Sequence, residues 1–130
     1  MENRKPQCFV TARISLQERE RLVIVARDLD IPYCRILRQL VRYIMENNIG
    51  WLELFESTND LALKDRADVT IRTKLPQETY IAFTQFADER GSTTSVILRR
   101  LVLLYIANKI DWRTIWLVHK NIEKQFEQLY

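Results

Sequence analysis

The sequence predicts a mostly helical fold with a two-stranded antiparallel β-ribbon and a further helix at the C-terminal end. Three observations lead to this prediction. The chain repeats itself at a fixed offset of 61 residues, and each copy contains one strand-like pattern followed by two helix-like patterns. Only two Gly and three Pro occur in 130 residues, which does not suit an all-β sandwich or barrel with its many tight turns.

The repeat aligns without a gap. Residues 36–41 match residues 97–102, and residues 47–51 match residues 108–112. Over residues 8–55, nine of the 48 aligned pairs are identical, and the two copies share an apolar pattern. One unit of about fifty residues buries too little surface to fold well, so we expect the two units to pack together.

Each unit begins with an alternating run that predicts a half-buried strand. In the first unit Val10, Ala12 and Ile14 point to one side, opposite Phe9, Thr11 and Arg13. In the second unit the inner side has Val69, Ile71, Thr73 and Leu75, opposite Thr70, Arg72 and Lys74. Thr73 is a polar residue on an otherwise apolar side, so the alternation is imperfect there.

The first helix of each unit follows directly. Ser15-Leu16-Gln17-Glu18 is a capping-box sequence with Ser15 at the N-cap, and Pro76 in the second unit suits the first helical position. Apolar residues then recur at helical spacing. These are Leu22, Val25, Ala26 and Leu29 in the first unit and Phe83, Phe86 and Ala87 in the second. We expect these helices to end near Asp30 and Gly91, where Gly91 suits a left-handed position.

A second helix follows in each unit and ends near Asn47 or Asn108. Pro32 is expected at its first helical position in the first unit, and residues 92–95 (Ser-Thr-Thr-Ser) offer several N-caps in the second. The apolar stripes predict core positions. They are Ile36, Leu37, Leu40, Val41 and Ile44, and Ile97, Leu98, Leu101, Val102 and Tyr105.

These patterns divide the chain into a first unit (8–51), a linker (52–68), a second unit (69–112) and a C-terminal helical tail (113–130), with the two units forming one intertwined domain. The middle of the linker, residues 56–60, is polar and is predicted to be a loop. The tail places Ile115, Val118, Ile122, Phe126 and Leu129 on one helical face.

Composition disfavours several classes of function. His119 is the only histidine, so no histidine cluster can bind a metal, and no common catalytic motif occurs. We therefore expect no enzyme activity, no metal and no cofactor.

The polar N-terminus does not resemble a secretory leader, and no apolar stretch is long enough to span a membrane. Two cysteines, Cys8 and Cys34, are expected to be reduced thiols in a cytoplasmic protein.

Positive charge is concentrated in the first part of the chain. Residues 1–50 contain nine Lys and Arg against six Asp and Glu, whereas residues 51–130 contain eleven of each.

If the two strands pair, the outer face of the ribbon has Phe9, Thr11, Arg13, Thr70, Arg72 and Lys74. A two-stranded ribbon fits the DNA major groove, where Arg, Lys and Thr can contact base edges. Phe9 could instead fold into the core, and the sequence does not decide this.

At these residues the chain resembles the ribbon-helix-helix (Arc/MetJ-type) DNA-binding superfamily. The resemblance is carried by residues 70–76 (Thr-Ile-Arg-Thr-Lys-Leu-Pro), by Phe83, by residues 86–87 and 91–95, and by residues 97–102. The first unit keeps the spacing but has Asp30 in place of the turn Gly, and Pro32 and Cys34 in place of hydroxyl residues. Both units lie in one chain, as in conjugative relaxosome accessory proteins of the TraY type.

The resemblance implies a tandem ribbon-helix-helix pseudo-dimer with two classes of DNA contact. The outward ribbon residues Phe9, Thr11, Arg13, Thr70, Arg72 and Lys74 would contact bases. The start of the second helix would bind the phosphate backbone. The phosphate candidates are Arg35, Ser92, Thr93, Thr94 and Ser95. Because the two strands differ, the preferred site is expected to be asymmetric.

The leading hypothesis is therefore a sequence-specific double-stranded DNA-binding protein, associated with the nucleoid when bound. It would act as a transcriptional regulator or repressor, or as a plasmid-encoded conjugation factor in a relaxosome. The alternative is a protein-interaction or antitoxin-like adaptor whose C-terminal helix binds a partner. That helix could also mediate self-association. No membrane interaction is expected.

Overall fold

The computed structural model describes residues 8–47, 49–62 and 67–107, in which five helices and one two-stranded antiparallel sheet occur. The elements follow the chain in this order: β1 (Phe9–Ile14), α1 (Leu16–Asp28), α2 (Tyr33–Met45), α3 (Trp51–Ala62), β2 (Val69–Lys74), α4 (Gln77–Glu89) and α5 (Thr94–Ile106). We call β1-α1-α2 the first segment and β2-α4-α5 the second segment. The prediction of a mostly helical fold with an antiparallel ribbon is confirmed.

The two strands form a ribbon whose register follows the repeat. Thr11 pairs with Arg72, the residue 61 positions later, with two further pairs on one side of it and three on the other. Beyond the last pair, the amide of Leu75 donates to the carbonyl of Cys8 at 2.8 Å. Helices α1 and α4 differ by 61 positions at both ends, as do α2 and α5.

Each strand packs against the second helix of the other segment: β1 against α5, and β2 against α2. One apolar core results, and both segments contribute to it. Its largest fully buried side chains include Leu22, Ile36, Phe83 and Ile97. The predicted apolar stripes therefore face the core, with Val25 and Phe86 packed at its partly buried edge, and Leu29 is half-buried.

The inward hydroxyl of Thr73 has a hydrogen-bond partner. Thr73 is only 3% exposed, and its Oγ1 donates to the carbonyl oxygen of Cys34 at 2.9 Å. A buried hydroxyl is tolerated when it is hydrogen-bonded, which explains the polar residue on the apolar side of β2. The bond also ties the ribbon to the first turn of α2. Cys8 is buried and Cys34 is half-buried, and the two do not form a disulfide bond with each other.

The helix starts agree with prediction at α1 and differ by one residue at α2 and α4. Ser15 forms the full capping box with Glu18: the Glu18 amide donates to Ser15 Oγ at 3.1 Å, and the Ser15 amide donates to Glu18 Oε1 at 2.7 Å. Pro32 and Pro76 are N-caps and not first helical residues. Both have extended ψ angles, 145° and 146°, so the helix begins only with the next residue.

The turns after α1 and α4 have the same backbone. Asp30 and Gly91 adopt φ angles of 57° and 65°, in the left-handed region. In each turn the next amide reaches back to a helix carbonyl: Ile31 to Ala26 at 3.0 Å, and Ser92 to Ala87 at 2.9 Å. This is the Schellman pattern that commonly ends helices. Asp is one of the few residues besides Gly that tolerates this conformation.

The prediction of a loop over residues 56–60 is wrong, because α3 runs through them. Leu54 and Thr58 are fully buried, and Thr58 Oγ1 donates to the Leu54 carbonyl at 2.7 Å. Arg100 of α5 donates to Thr58 Oγ1 at 2.9 Å and to Asn59 Oδ1 at 3.1 Å. Packing on α5 thus stabilises a helix whose local sequence is polar. Burial, followed by the neighbouring charge of Arg99, lowers the pKa of Arg100 below its ordinary value.

Several predictions fall outside the described residues. They are the C-terminal tail over 113–130, Asn108 as a helix end, and the last part of the second unit. No helix in the described ranges is long and apolar enough to cross a lipid bilayer.

Candidate nucleic-acid interface

The six outward ribbon residues lie on one face of the sheet. Directly opposed residues of an antiparallel pair share a face, so the pairs Phe9–Lys74, Thr11–Arg72 and Arg13–Thr70 form a single surface. Five of the six residues are exposed and Phe9 is half-buried, whereas the alternating residues are mostly buried. We call this surface the ribbon face. It brings all of the predicted base-contacting residues together.

Phe9 belongs to the ribbon face and not to the core. The guanidinium carbon of Arg72 lies 4.9 Å from the centre of the Phe9 ring, within the range of a cation–π contact. Arg72 sits diagonally across the ribbon from Phe9, a spacing that long side chains can bridge. The aromatic ring therefore restricts the orientation of the Arg72 side chain on the ribbon face. This settles the orientation that the sequence left open.

The repeat offset relates the ribbon-face residues in pairs. Arg13 corresponds to Lys74, so a cation lies near each end of the surface. Thr11 corresponds to Arg72, and these two residues oppose each other at the centre. Phe9 corresponds to Thr70. The two halves of the ribbon face are thus alike at the outer cations and differ at the other positions.

The predicted phosphate-contacting residues of the second segment lie at the start of α5. Thr93 is the N-cap, and its Oγ1 accepts a hydrogen bond from the Val96 amide at 3.2 Å. Thr93 is exposed, and Ser92, Thr94 and Ser95 are half-buried. The Ser92 amide is already used in the turn, so Ser92 could offer a phosphate only its hydroxyl.

The start of α2 has a different chemistry. Its N-cap, Pro32, has no polar side-chain atom, and the first helical residues are Tyr33, Cys34 and Arg35. Arg35 is half-buried and is the only phosphate candidate predicted in the first segment. Asp30, exposed in the preceding turn, adds a negative charge there.

A groove runs from the start of α2 along its surface. It has a volume of about 580 Å³ and is lined on one side by Arg35, Arg38 and Arg42. Gln39 is also part of α2, and the opposite side is formed by Leu75, Pro76 and Thr79 at the junction of β2 and α4. We call it the arginine groove. Sequence reasoning missed Arg38 and Arg42, although their spacing from Arg35 places all three on one side of a helix.

No family model, curated protein or solved structure matches the chain.

Proposed function

We propose that the protein binds double-stranded DNA in a sequence-specific manner by inserting the β-ribbon into the major groove. The observation that carries this proposal is the ribbon face. It is a two-stranded surface with exposed Arg13, Arg72 and Lys74, supported on its other side by the apolar core. A two-stranded ribbon has the right width for the major groove, and arginine and lysine commonly contact guanine there.

The proposed arrangement is a tandem ribbon-helix-helix pseudo-dimer. Its support is the agreement between sequence and register: equivalent helices are 61 residues apart, and the central ribbon pair joins residues 61 apart. The exchange of partners, with β1 on α5 and β2 on α2, also favours two intertwined units. A covalent link between the units makes their association independent of protein concentration.

The proposed DNA site is asymmetric at specific positions. The matched cations Arg13 and Lys74 favour similar contacts at the two outer parts of the site. The unmatched pairs, Thr11 with Arg72 and Phe9 with Thr70, favour different bases in the two halves. Binding selection from a random duplex pool would test this: a perfect palindrome with equal half-sites would contradict it.

Loss of the ribbon cations tests the proposal itself. We expect the double variant Arg72→Ala/Lys74→Ala to lose about 2–6 kcal/mol of binding free energy on the selected duplex, because each good base contact is worth about 1–3 kcal/mol. This corresponds to a loss of affinity of about thirtyfold or more. The matched control, Arg19→Ala/Arg27→Ala, removes the same charge from exposed positions of α1. A folded ribbon variant that binds as well as the parent would refute the proposal.

The biological role depends on where the preferred DNA sequence occurs in the genome or plasmid. We propose that the protein acts as a transcriptional regulator or as a conjugative-transfer accessory factor, and the presence of both units in one chain favours the second role. Mapping the selected sequence to promoters or to a transfer origin would separate these roles.

A further inference from the structure

We propose that the arginine groove binds phosphate groups of the DNA backbone on the side of the first segment, with Arg38 and Arg42 as phosphate-binding residues. This inference rests on the proposed function. It extends that function, because it assigns a role to a surface outside the ribbon face and to residues beyond the start of α2.

The spacing of the three arginines supports this assignment. Arg35, Arg38 and Arg42 occur at i, i+3 and i+7, so their side chains follow one side of α2 over about 10 Å at a rise of about 1.5 Å per residue. Arg38 is exposed, and the other two are half-buried. The planar guanidinium fork matches a phosphate group with two parallel hydrogen bonds, which makes arginine well suited to this ligand.

The other residues of the groove fit an anionic ligand. Gln39 and Thr79 add polar side chains, and none of the described residues that line the groove is acidic. Glu46 lies at the far end, with its carboxylate 4.0 Å from Arg42 Nε.

The position of the groove points to the DNA backbone as the source of the phosphate. Leu75, which lines the groove, directly follows Lys74 of the ribbon face. The groove therefore lies beside one end of the proposed major-groove contact. A duplex that accepts the ribbon brings its sugar-phosphate strands alongside this end, because the strands border the major groove.

Among the described residues, the second segment does not repeat the three-arginine side of α2. Residues 61 positions after Arg35 and Arg42 are Val96 and Leu103, which are apolar, whereas Arg38 corresponds to another arginine, the half-buried Arg99. The residue equivalent to Gln39 is Arg100, and α3 packs on α5 there, with Thr58 and Asn59 bound to Arg100. The second segment instead has hydroxyl residues at the start of α5. The two segments thus differ in how arginine is placed: three arginines follow one side of α2, whereas α5 keeps Arg99 at one of these positions and its Arg100 is bound to α3.

The positive charge of Arg38 and Arg42 makes the proposal measurable. Each phosphate neutralised by an arginine releases counterions, so the slope of log affinity against log salt concentration changes by about 0.9 per contact. We expect the double variant Arg38→Ala/Arg42→Ala to reduce the magnitude of this slope by about 1–2, and to weaken binding most at low salt. The control pair Arg19→Ala/Arg27→Ala should leave the slope close to that of the parent.

Neutral backbone substitution locates the contacts. Methylphosphonates are placed one at a time along both strands of the selected duplex, and binding of the parent and of the groove variant is compared. We expect that a methylphosphonate at one or two positions on a single flank of the site weakens DNA binding by the parent but not by the groove variant. The variant Arg38→Gln/Arg42→Gln repeats the test with side chains that are polar but uncharged. Circular dichroism verifies that each variant is folded.

The outcomes separate this inference from the proposed function. If the ribbon variant loses DNA binding but the groove variant keeps the parent slope and the parent interference pattern, the inference is overturned and the proposed function stands. An equal loss of slope in the groove variant and the α1 control also overturns it. If the ribbon variant binds like the parent, the proposed function fails whatever the groove variant does.

Discussion

After its first helix the first segment turns at Asp30 and the second segment turns at Gly91, yet the φ angles differ by only a few degrees. At the start of the next helix Pro32 corresponds to Thr93, and both N-caps are extended, with ψ angles of 145° and 155°, although their φ angles are −70° and −124°. Backbone geometry is thus kept while side-chain chemistry changes. In a protein made of two separate identical chains, such changes would appear in both halves. In a single chain each half can change alone.

The two segments place their side-chain helix caps on different helices. In the first segment a side chain caps α1, through Ser15, and α2 begins after a proline. In the second segment α4 begins after a proline, and a side chain caps α5, through Thr93. Each segment therefore has one helix start that is capped by a side chain. In the first segment this is the start of α1, whereas in the second it is the start of α5, which is predicted to contact phosphate.

Equivalent core positions provide the largest expected effect. Leu22 and Phe83 are 61 residues apart, and both are fully buried. We expect Leu22→Ala to cost about 2–5 kcal/mol and Phe83→Ala about 3–5 kcal/mol of unfolding free energy, because each leaves a cavity. Urea unfolding monitored by circular dichroism would measure both.

The shape of these unfolding curves tests whether the two segments depend on each other. One shared core predicts a single transition in each variant, shifted as a whole. Two separate transitions, with only the mutated segment shifted, would show that the segments fold independently. Val96→Ala, at an exposed position of α5, serves as a control with a small expected effect.

The turn residues give the next largest effect. A Cβ added at Gly91 meets no atom within 4 Å, so Gly91→Ala costs only the strain of the left-handed backbone, about 1–2 kcal/mol. Gly91→Asn should cost less, because Asn tolerates this conformation, and Asp30→Asn should change stability by less than about 0.5 kcal/mol. Denaturant titration of the three variants checks the order. Equal costs for Ala and Asn at position 91 would contradict a backbone origin.

The caps give the smallest effect on stability and a clear contrast in binding. Ser15→Ala and Thr93→Ala should each cost about 1 kcal/mol of unfolding free energy. Only Thr93→Ala should also weaken DNA binding, since Ser15 is buried and Thr93 is exposed at the proposed phosphate contact. Thermal unfolding and duplex titration of both variants measure the two effects. A matching loss of affinity in Ser15→Ala would indicate an indirect effect through stability.

The sequence by itself determined the local elements and their order. Period-2 alternation located both strands, helical spacing located α1, α2, α4 and α5, and the Ser15 capping box and the turns at Asp30 and Gly91 marked helix ends. These features depend on residues that are close in sequence, so their patterns can be read directly. The six residues of the ribbon face follow from the same alternation once the strands pair.

Only the tertiary structure decided the features that depend on distant residues. Residues 56–60 of α3 were predicted to be a loop because they are polar and lack a local helical signal, and the packing of α3 on α5 involves Arg100, some forty positions away. The polar Thr73 on the apolar side of β2 is explained only by the hydrogen bond from its hydroxyl to the Cys34 carbonyl. The arginine groove needs α2 beside the junction of β2 and α4. In each case the stabilising partner lies far along the chain, and only folding brings the two together.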